Sequence, residues 1–163
     1  MFPDDILALS AQLIDEARAR GWTVATAESC TGGLVAAALT EIAGSSDVVD
    51  RGFVTYSNAA KQASLKVPEA LLAEFGAVSA GVARAMAEGA QAAASADLAV
   101  AVTGIAGPGG GSADKPVGLV WLAVAARGDE TLVREKRFGD IGRQAVRLAS
   151  VRTALQMMLE RLA

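Results

Sequence analysis

Histidine is absent from all 163 residues. Without an imidazole there is no Ser-His-Asp triad, no Cys-His dyad and no ordinary zinc site. Cysteine is reduced to Cys30, so no internal disulfide can form. That fits a reducing compartment, and a cytoplasmic protein is expected. Aromatic residues make up only 4%, while alanine fills 36 positions. Side chains this small favour closely packed helices and thin layers over an aromatic-filled barrel. No sign of charge dominates either: fifteen basic against eighteen acidic residues leave a net charge of −3. A duplex-binding face needs a basic excess, so nucleic acid is not an expected partner. Long apolar runs are missing too. Apolar stretches such as Leu98–Val102 and Leu119–Ala126 are strand-sized, far short of the roughly 20 residues of a membrane span. The chain opens Met1-Phe2-Pro3-Asp4-Asp5, acidic where a secretion signal is basic. Neither membrane insertion nor export is expected.

What is present suffices for one core. Hydrophobic residues are 52% of the chain, and no linker-like stretch divides it, so residues 1–163 are read as a single domain. Apolar residues recur at helical spacing over 4–20, with Asp4 or Asp5 as start signals and Gly21 as the stop. Trp22–Ala27 reads as a strand and Thr31–Ala43 as a helix. Arg51–Tyr56 reads as a second strand, Asn58–Leu65 and Pro68–Phe75 as short helices. Ser79 can cap an alanine-rich helix to about Ala96. Asp97–Thr103 is a buried strand. Val117–Ala126 and Glu130–Phe138 flank the turn residues Arg127-Gly128-Asp129 as a hairpin. Asp140 opens a final helix. Alternation of strands and helices predicts an α/β domain of three layers, and the late hairpin makes its sheet mixed.

Three constellations can carry chemistry. In Glu28-Ser29-Cys30-Thr31-Gly32-Gly33 a hydroxyl sits at a strand-to-helix turn. The unpaired N–H groups of the helix behind it suit a phosphate or a developing oxyanion. Ser29 or Thr31 acting as a plain helix cap is the competing account. Cys30 is a second nucleophile in principle, but no histidine is there to activate it. In Tyr56-Ser57-Asn58-Ala59-Ala60-Lys61, a lysine among alanines could lose its proton through burial and act as a base. Tyr56, the only tyrosine, could orient that lysine or pass a proton; a solvated lysine and a tyrosine at the core edge are the alternative. The loop Thr103-Gly104-Ile105-Ala106-Gly107-Pro108 and its glycine-rich continuation leave the end of a buried strand, where ligands of open α/β sheets bind. It matches neither GxxxxGK[ST] nor GxGxxG. Lys115 further on meets either an anion or solvent. Arg143, Arg147 and Arg152 lie on the last helix, where most are read as a surface face.

Taken together, TAESCTGGLVAAALTEIAGSS, RGFVTYSNAAK, AVTGIAGPGGGSADKPVGLVW and the arginine-bearing closing helix resemble the nicotinamide-nucleotide amidohydrolase family. That family is also known as the C-terminal domain of the competence/damage-inducible protein CinA. The resemblance runs from about residue 5 to 160. It implies a three-layer α/β/α sandwich with a mixed five-stranded sheet. It implies hydrolysis of nicotinamide mononucleotide to nicotinic acid mononucleotide and ammonia in bacterial pyridine-nucleotide recycling, with neither cofactor nor metal. Its catalytic residues fall on Ser29, Lys61 and Tyr56. Its substrate-binding residues fall on Cys30, Thr31, Gly32, Gly33, Asn58, Thr103, Gly104, Ile105, Ala106, Gly107, Pro108 and Arg143. The family's Gly-Asp-Arg helix start reads Gly139-Asp140-Ile141-Gly142-Arg143 here, as if two residues were inserted, which leaves the reach of Arg143 open. An N-terminal pyrophosphatase domain found in many relatives is not expected. A homodimer is. Two other functions fit the same residues: a nucleotide-binding module without chemistry, and a Ser-Lys hydrolase of another amide.

Overall fold

The computed structural model describes residues 1–163. In chain order it contains α1 (Asp4–Arg20), β1 (Val24–Glu28), α2 (Leu34–Thr40), β2 (Val49–Val54), α3 (Asn58–Leu65), α4 (Glu69–Phe75), α5 (Ala80–Ala94), β3 (Leu98–Gly104), β4 (Leu119–Ala126), β5 (Leu132–Arg137) and α6 (Arg143–Leu162), with a single 3-10 turn at Ser45–Asp47. The strands form one sheet in the order β2-β1-β3-β4-β5. β2, β1 and β3 run parallel, and β4 and β5 are antiparallel additions. The expected three-layer, mixed five-stranded α/β/α architecture is what the chain adopts.

The two faces of the sheet are chemically different, and the period of two along each strand makes them so. Val24, Leu98, Val100, Val102, Val120, Leu122 and Val124 point to one side, where α1, α2 and α6 cover them. Burying each such branched side chain contributes about 1.5–3 kcal/mol. Ala25, Ala27, Ala99, Ala101, Ala123 and Ala125 point to the other side, against Val82, Ala83, Met86, Ala87 and Ala90 of α5. Small residues on both partners let α5 lie close to the sheet, and the abundance of alanine is thereby explained.

Local signals set most boundaries. Gly21 ends α1 at φ 65°, donating its N–H to the carbonyls of Ala17 and Arg18. Ser57 caps α3, accepting from the Ala60 N–H, and Ser79 caps α5, accepting from Val82. Four expectations shift. α1 has Pro3 at its cap, and Asp4 and Asp5 sit in its first turn without capping it. α2 begins only at Leu34, because Ser29–Gly33 form a turn in which Gly32 and Gly33 take positive φ (57° and 101°). β2 ends at Val54, so Tyr56 lies beyond the strand. The last helix starts at Arg143, not at Asp140, with Gly142 as its cap.

The order of the strands decides where a site can form. From β1 the chain crosses by α2 to β2 on one side. It then returns by α3, α4 and α5 to β3 on the other side of β1. The crossovers on opposite faces open a crevice at the carboxyl ends of β1 and β3.

Candidate active site

Ser29 immediately follows β1 at that crevice, and its N–H donates to Val102 O of β3 at 2.9 Å. The turn after it is held from three directions. The buried Glu28 carboxylate accepts from the N–H groups of Val35 (2.8 Å) and Ala36 (3.1 Å) at the start of α2. The Thr55 N–H donates to Glu28 O. Arg147 of α6 donates to the carbonyls of both Cys30 and Thr31, each at 3.1 Å. Within the turn the Gly32 N–H closes onto Ser29 O, while the N–H groups of Cys30, Thr31 and Gly33 meet no backbone carbonyl.

Lys61 lies on α3, the helix that Ser57 caps. Its side chain is 1% exposed, and its amine donates to Ser29 Oγ at 3.1 Å and to Thr55 O at 2.8 Å. No carboxylate pairs with it. Burial without a counter-ion disfavours the ammonium form and draws its pKa below the ordinary lysine value. A Cys30 thiolate would oppose that shift. However, burial pushes the Cys30 thiol up to about 12, so near neutral pH no thiolate is present to exert the pull. The same value leaves Cys30 a poor nucleophile.

The cleft above this pair has a volume of about 270 Å³. Ser29, Cys30, Asn58, Lys61, Thr103, Gly104, Ile105, Ala106, Gly107, Tyr56 and Arg143 all line it. Of the residues expected there, Thr31, Gly32, Gly33 and Pro108 do not. Thr31 is buried beneath the turn, Gly33 caps α2, and Pro108 is exposed on the outer loop. Thr103 is spent on structure, its hydroxyl donating to Ala77 O at 2.9 Å. Tyr56 is 61% exposed. Its hydroxyl accepts from Arg143 at 3.0 Å and makes no hydrogen bond to Ser29 or Lys61. Arg143 also donates to Gly107 O at 2.8 Å. It therefore reaches the cleft despite the altered helix start, since α6 itself begins at that residue. No acidic group lies within ion-pair distance of Arg143 or Arg147. No group of three or more acidic or cysteine side chains converges anywhere in the chain.

Two basic residues have roles that the sequence did not reveal. Lys115 neither meets solvent freely nor lines the cleft; it donates to Phe75 O at the end of α4 and pins the glycine-rich loop there. Arg147 is not part of a solvated face, since it grips the turn after Ser29. Only its spacing of four residues from Arg143 hinted at this. Arg152 does belong to the surface, paired with Asp5.

This geometry can be set beside known proteins. The family model of the CinA C-terminal domain matches residues 6–162. The chain is 53% identical over 159 residues to the nicotinamide-nucleotide amidohydrolase PncC of Escherichia coli K12, covering 97% of this chain and 95% of that protein. It is also 53% identical over 164 residues to a CinA-like protein of Geobacter sulfurreducens, where it spans 98% of this chain and 39% of the longer relative. Among solved structures, the competence/damage inducible protein CihA of Agrobacterium tumefaciens superposes with a TM-score of 0.97 at 60% identity. That match covers 99% of this chain and 98% of the other.

Proposed function

The chain belongs to the CinA C-terminal domain family, and from that premise we propose that it hydrolyses the carboxamide of nicotinamide mononucleotide to nicotinic acid mononucleotide and ammonia. Relatives that match nearly end to end carry the name nicotinamide-nucleotide amidohydrolase. The observation that carries the reading is the buried Lys61 amine, without an acidic partner, 3.1 Å from the Ser29 hydroxyl at the floor of a cleft. In a chain without histidine, a lysine kept neutral by burial is the available base.

In this scheme neutral Lys61 takes the Ser29 proton as Oγ attacks the carboxamide carbon. The oxyanion of the tetrahedral adduct is received by the free Cys30 N–H, the one unpaired amide of the turn whose residue lines the cleft. Lys61 returns its proton to the nitrogen, the C–N bond breaks and ammonia leaves. The acyl group stays on Ser29 as an ester. Lys61 then deprotonates water, whose attack releases the carboxylic acid and returns the proton to Ser29. Arg143, at the rim and free of acidic partners, is placed to receive the substrate phosphate. Tyr56 supports Arg143 through its hydroxyl. We place this reaction in pyridine-nucleotide recycling.

The same reading includes a cytoplasmic location and a homodimer. The lone buried cysteine supports the former. The exposed apolar side chains of Val54 and Ile141 are consistent with a covering partner. No helix is long and apolar enough to cross a membrane.

Ammonia release from nicotinamide mononucleotide tests the chemistry, with Ser29→Ala and Lys61→Ala alongside. Stoichiometric ammonia and acid from the wild type, lost in both folded variants, is the expected result. No ammonia, together with a rise in Tm on adding the nucleotide, would overturn the catalytic reading in favour of a binding module.

A further inference from the structure

Arg147 occupies an unusual position for a cation. It is half-buried, it has no carboxylate partner, and two of its nitrogens are spent on two consecutive main-chain carbonyls. Those carbonyls, of Cys30 and Thr31, belong to the turn that directly follows Ser29. The turn is shaped to admit the guanidinium. A Cβ on Gly32 would stand 3.3 Å from Arg147 Nη2, at the edge of what side-chain packing tolerates, and φ of Gly32 is +57°.

A planar trans peptide points its carbonyl and its N–H in opposite directions. Fixing the Cys30 and Thr31 carbonyls on one side therefore fixes the N–H groups of Thr31 and Gly32 on the other. The Gly32 N–H closes onto Ser29 O. That bond orients the carbonyl of the residue carrying the hydroxyl, and the Cys30 N–H belongs to the same peptide unit. A guanidinium anchored 117 residues away in sequence thus sets the direction of the free amide beside Ser29.

We propose that Arg147 is a positioning residue for the reaction, a fork on α6 that holds the Ser29–Gly32 turn so that Ser29 Oγ and the Cys30 N–H face the same point in the cleft. The proposal rests on Ser29 being the nucleophile, as above. The planar fork is the essential property. A lysine offers the same charge from a single point and cannot hold two carbonyls in a fixed relation. A supporting contact of this kind acts on the rate of the bound complex, because it preorganises donors rather than contacting substrate.

The test compares wild type, Arg147→Lys, Arg147→Ala and Ser29→Ala by steady-state kinetics on nicotinamide mononucleotide, with circular dichroism to confirm folding. The expected result is a kcat roughly 100-fold lower in Arg147→Lys, the scale of a misplacement of about 1 Å, with KM changed less than threefold. Free guanidinium ion at millimolar concentration should partly restore kcat to Arg147→Ala and leave Ser29→Ala unaffected. Lysine restoring full kcat would overturn the proposal. So would a loss confined to KM, which would make Arg147 a substrate-phosphate ligand. If Ser29→Ala retained activity the parent reading would fail first, whatever Arg147 did. If Arg147→Ala does not fold, Arg147→Lys, which keeps the stem and the charge, decides the question by itself.

Discussion

The Lys61 amine and the Ser29 hydroxyl stand 3.1 Å apart, although 32 residues separate them along the chain. One closes β1 and the other rides on the helix that follows β2. They meet because those strands are parallel neighbours, with Ala27 in register with Phe53 and Glu28 with Val54. The amine is sealed beneath the cleft with only a hydroxyl and a carbonyl as partners.

That environment predicts a pH profile. Catalysis by neutral Lys61 rises as pH rises through a pKa below the ordinary lysine value of 10.5, because burial without a counter-ion lowers it. A plot of log kcat/KM against pH should show this ascending limb. A rate independent of pH from 6 to 10 would contradict a lysine base.

Stability should follow with a defined sign. Between the lowered pKa of Lys61 and 10.5, the unfolded chain holds a proton that the folded chain does not, so Lys61 makes the fold more stable as pH rises through that window. Below the window the folded state carries the full cost of a buried ammonium. The Tm difference between Lys61→Met and wild type should therefore be most favourable to the variant at the acid end and shrink towards pH 10. Thermal unfolding of both proteins across the range checks the slope.

Tyr56 and Lys61 should separate sharply in kinetics. The Tyr56 hydroxyl bonds Arg143, not Ser29 or Lys61. Tyr56→Phe removes one hydrogen bond worth about 0.5–1.5 kcal/mol, a loss of roughly threefold to tenfold in kcat/KM. Lys61→Ala removes the proposed base and should cost roughly 10²-fold or more. Equal losses would instead make Tyr56 part of the proton path.

Cys30 should prove inert although it adjoins Ser29. Its thiol is buried and pushed up to about 12. A colorimetric disulfide reagent at pH 8 should leave it unmodified in the native protein and label one thiol after denaturation. Cys30→Ala should retain activity and lose about 1 kcal/mol of stability. Rapid native labelling would overturn this account.

Gly89 links the alanine face to the site. Elsewhere on an exposed helix, glycine to alanine would add about 1 kcal/mol of helix stability. Here the new Cβ would stand 2.0 Å from the carbonyl oxygen of Leu65, which ends α3. Overpacking against backbone wins, at about 3 kcal/mol. Gly89→Ala should lower Tm, and by displacing the helix that carries Lys61 it should lower kcat as well. A variant of unchanged stability would show that α3 can move freely.

Much of the architecture was legible one residue at a time. Strand periodicity, the Gly21 stop, the Ser79 cap and the boundaries Asn58–Leu65 are local properties, and the chain adopts them. The sequence alone also determined that any base near Ser29 could not be histidine. It determined that the leading candidates lay at strand-to-helix turns. Boundaries at Thr31 and Asp140 were misread because glycines with positive φ delay both helices, a choice of backbone region that composition does not announce. What only the tertiary structure decided are the long-range meetings. Arg143 reaches the Tyr56 hydroxyl, Arg147 reaches the Cys30 and Thr31 carbonyls, Lys115 reaches α4, and Glu28 caps the start of α2. Each depends on how strands are ordered and which face a crossover helix covers. A periodic pattern specifies which side of an element is buried, but not which neighbour buries it. The buried Lys61 is the clearest case: Ala59, Ala60 and Gln62 flank it in sequence, and only the packed fold removes its water.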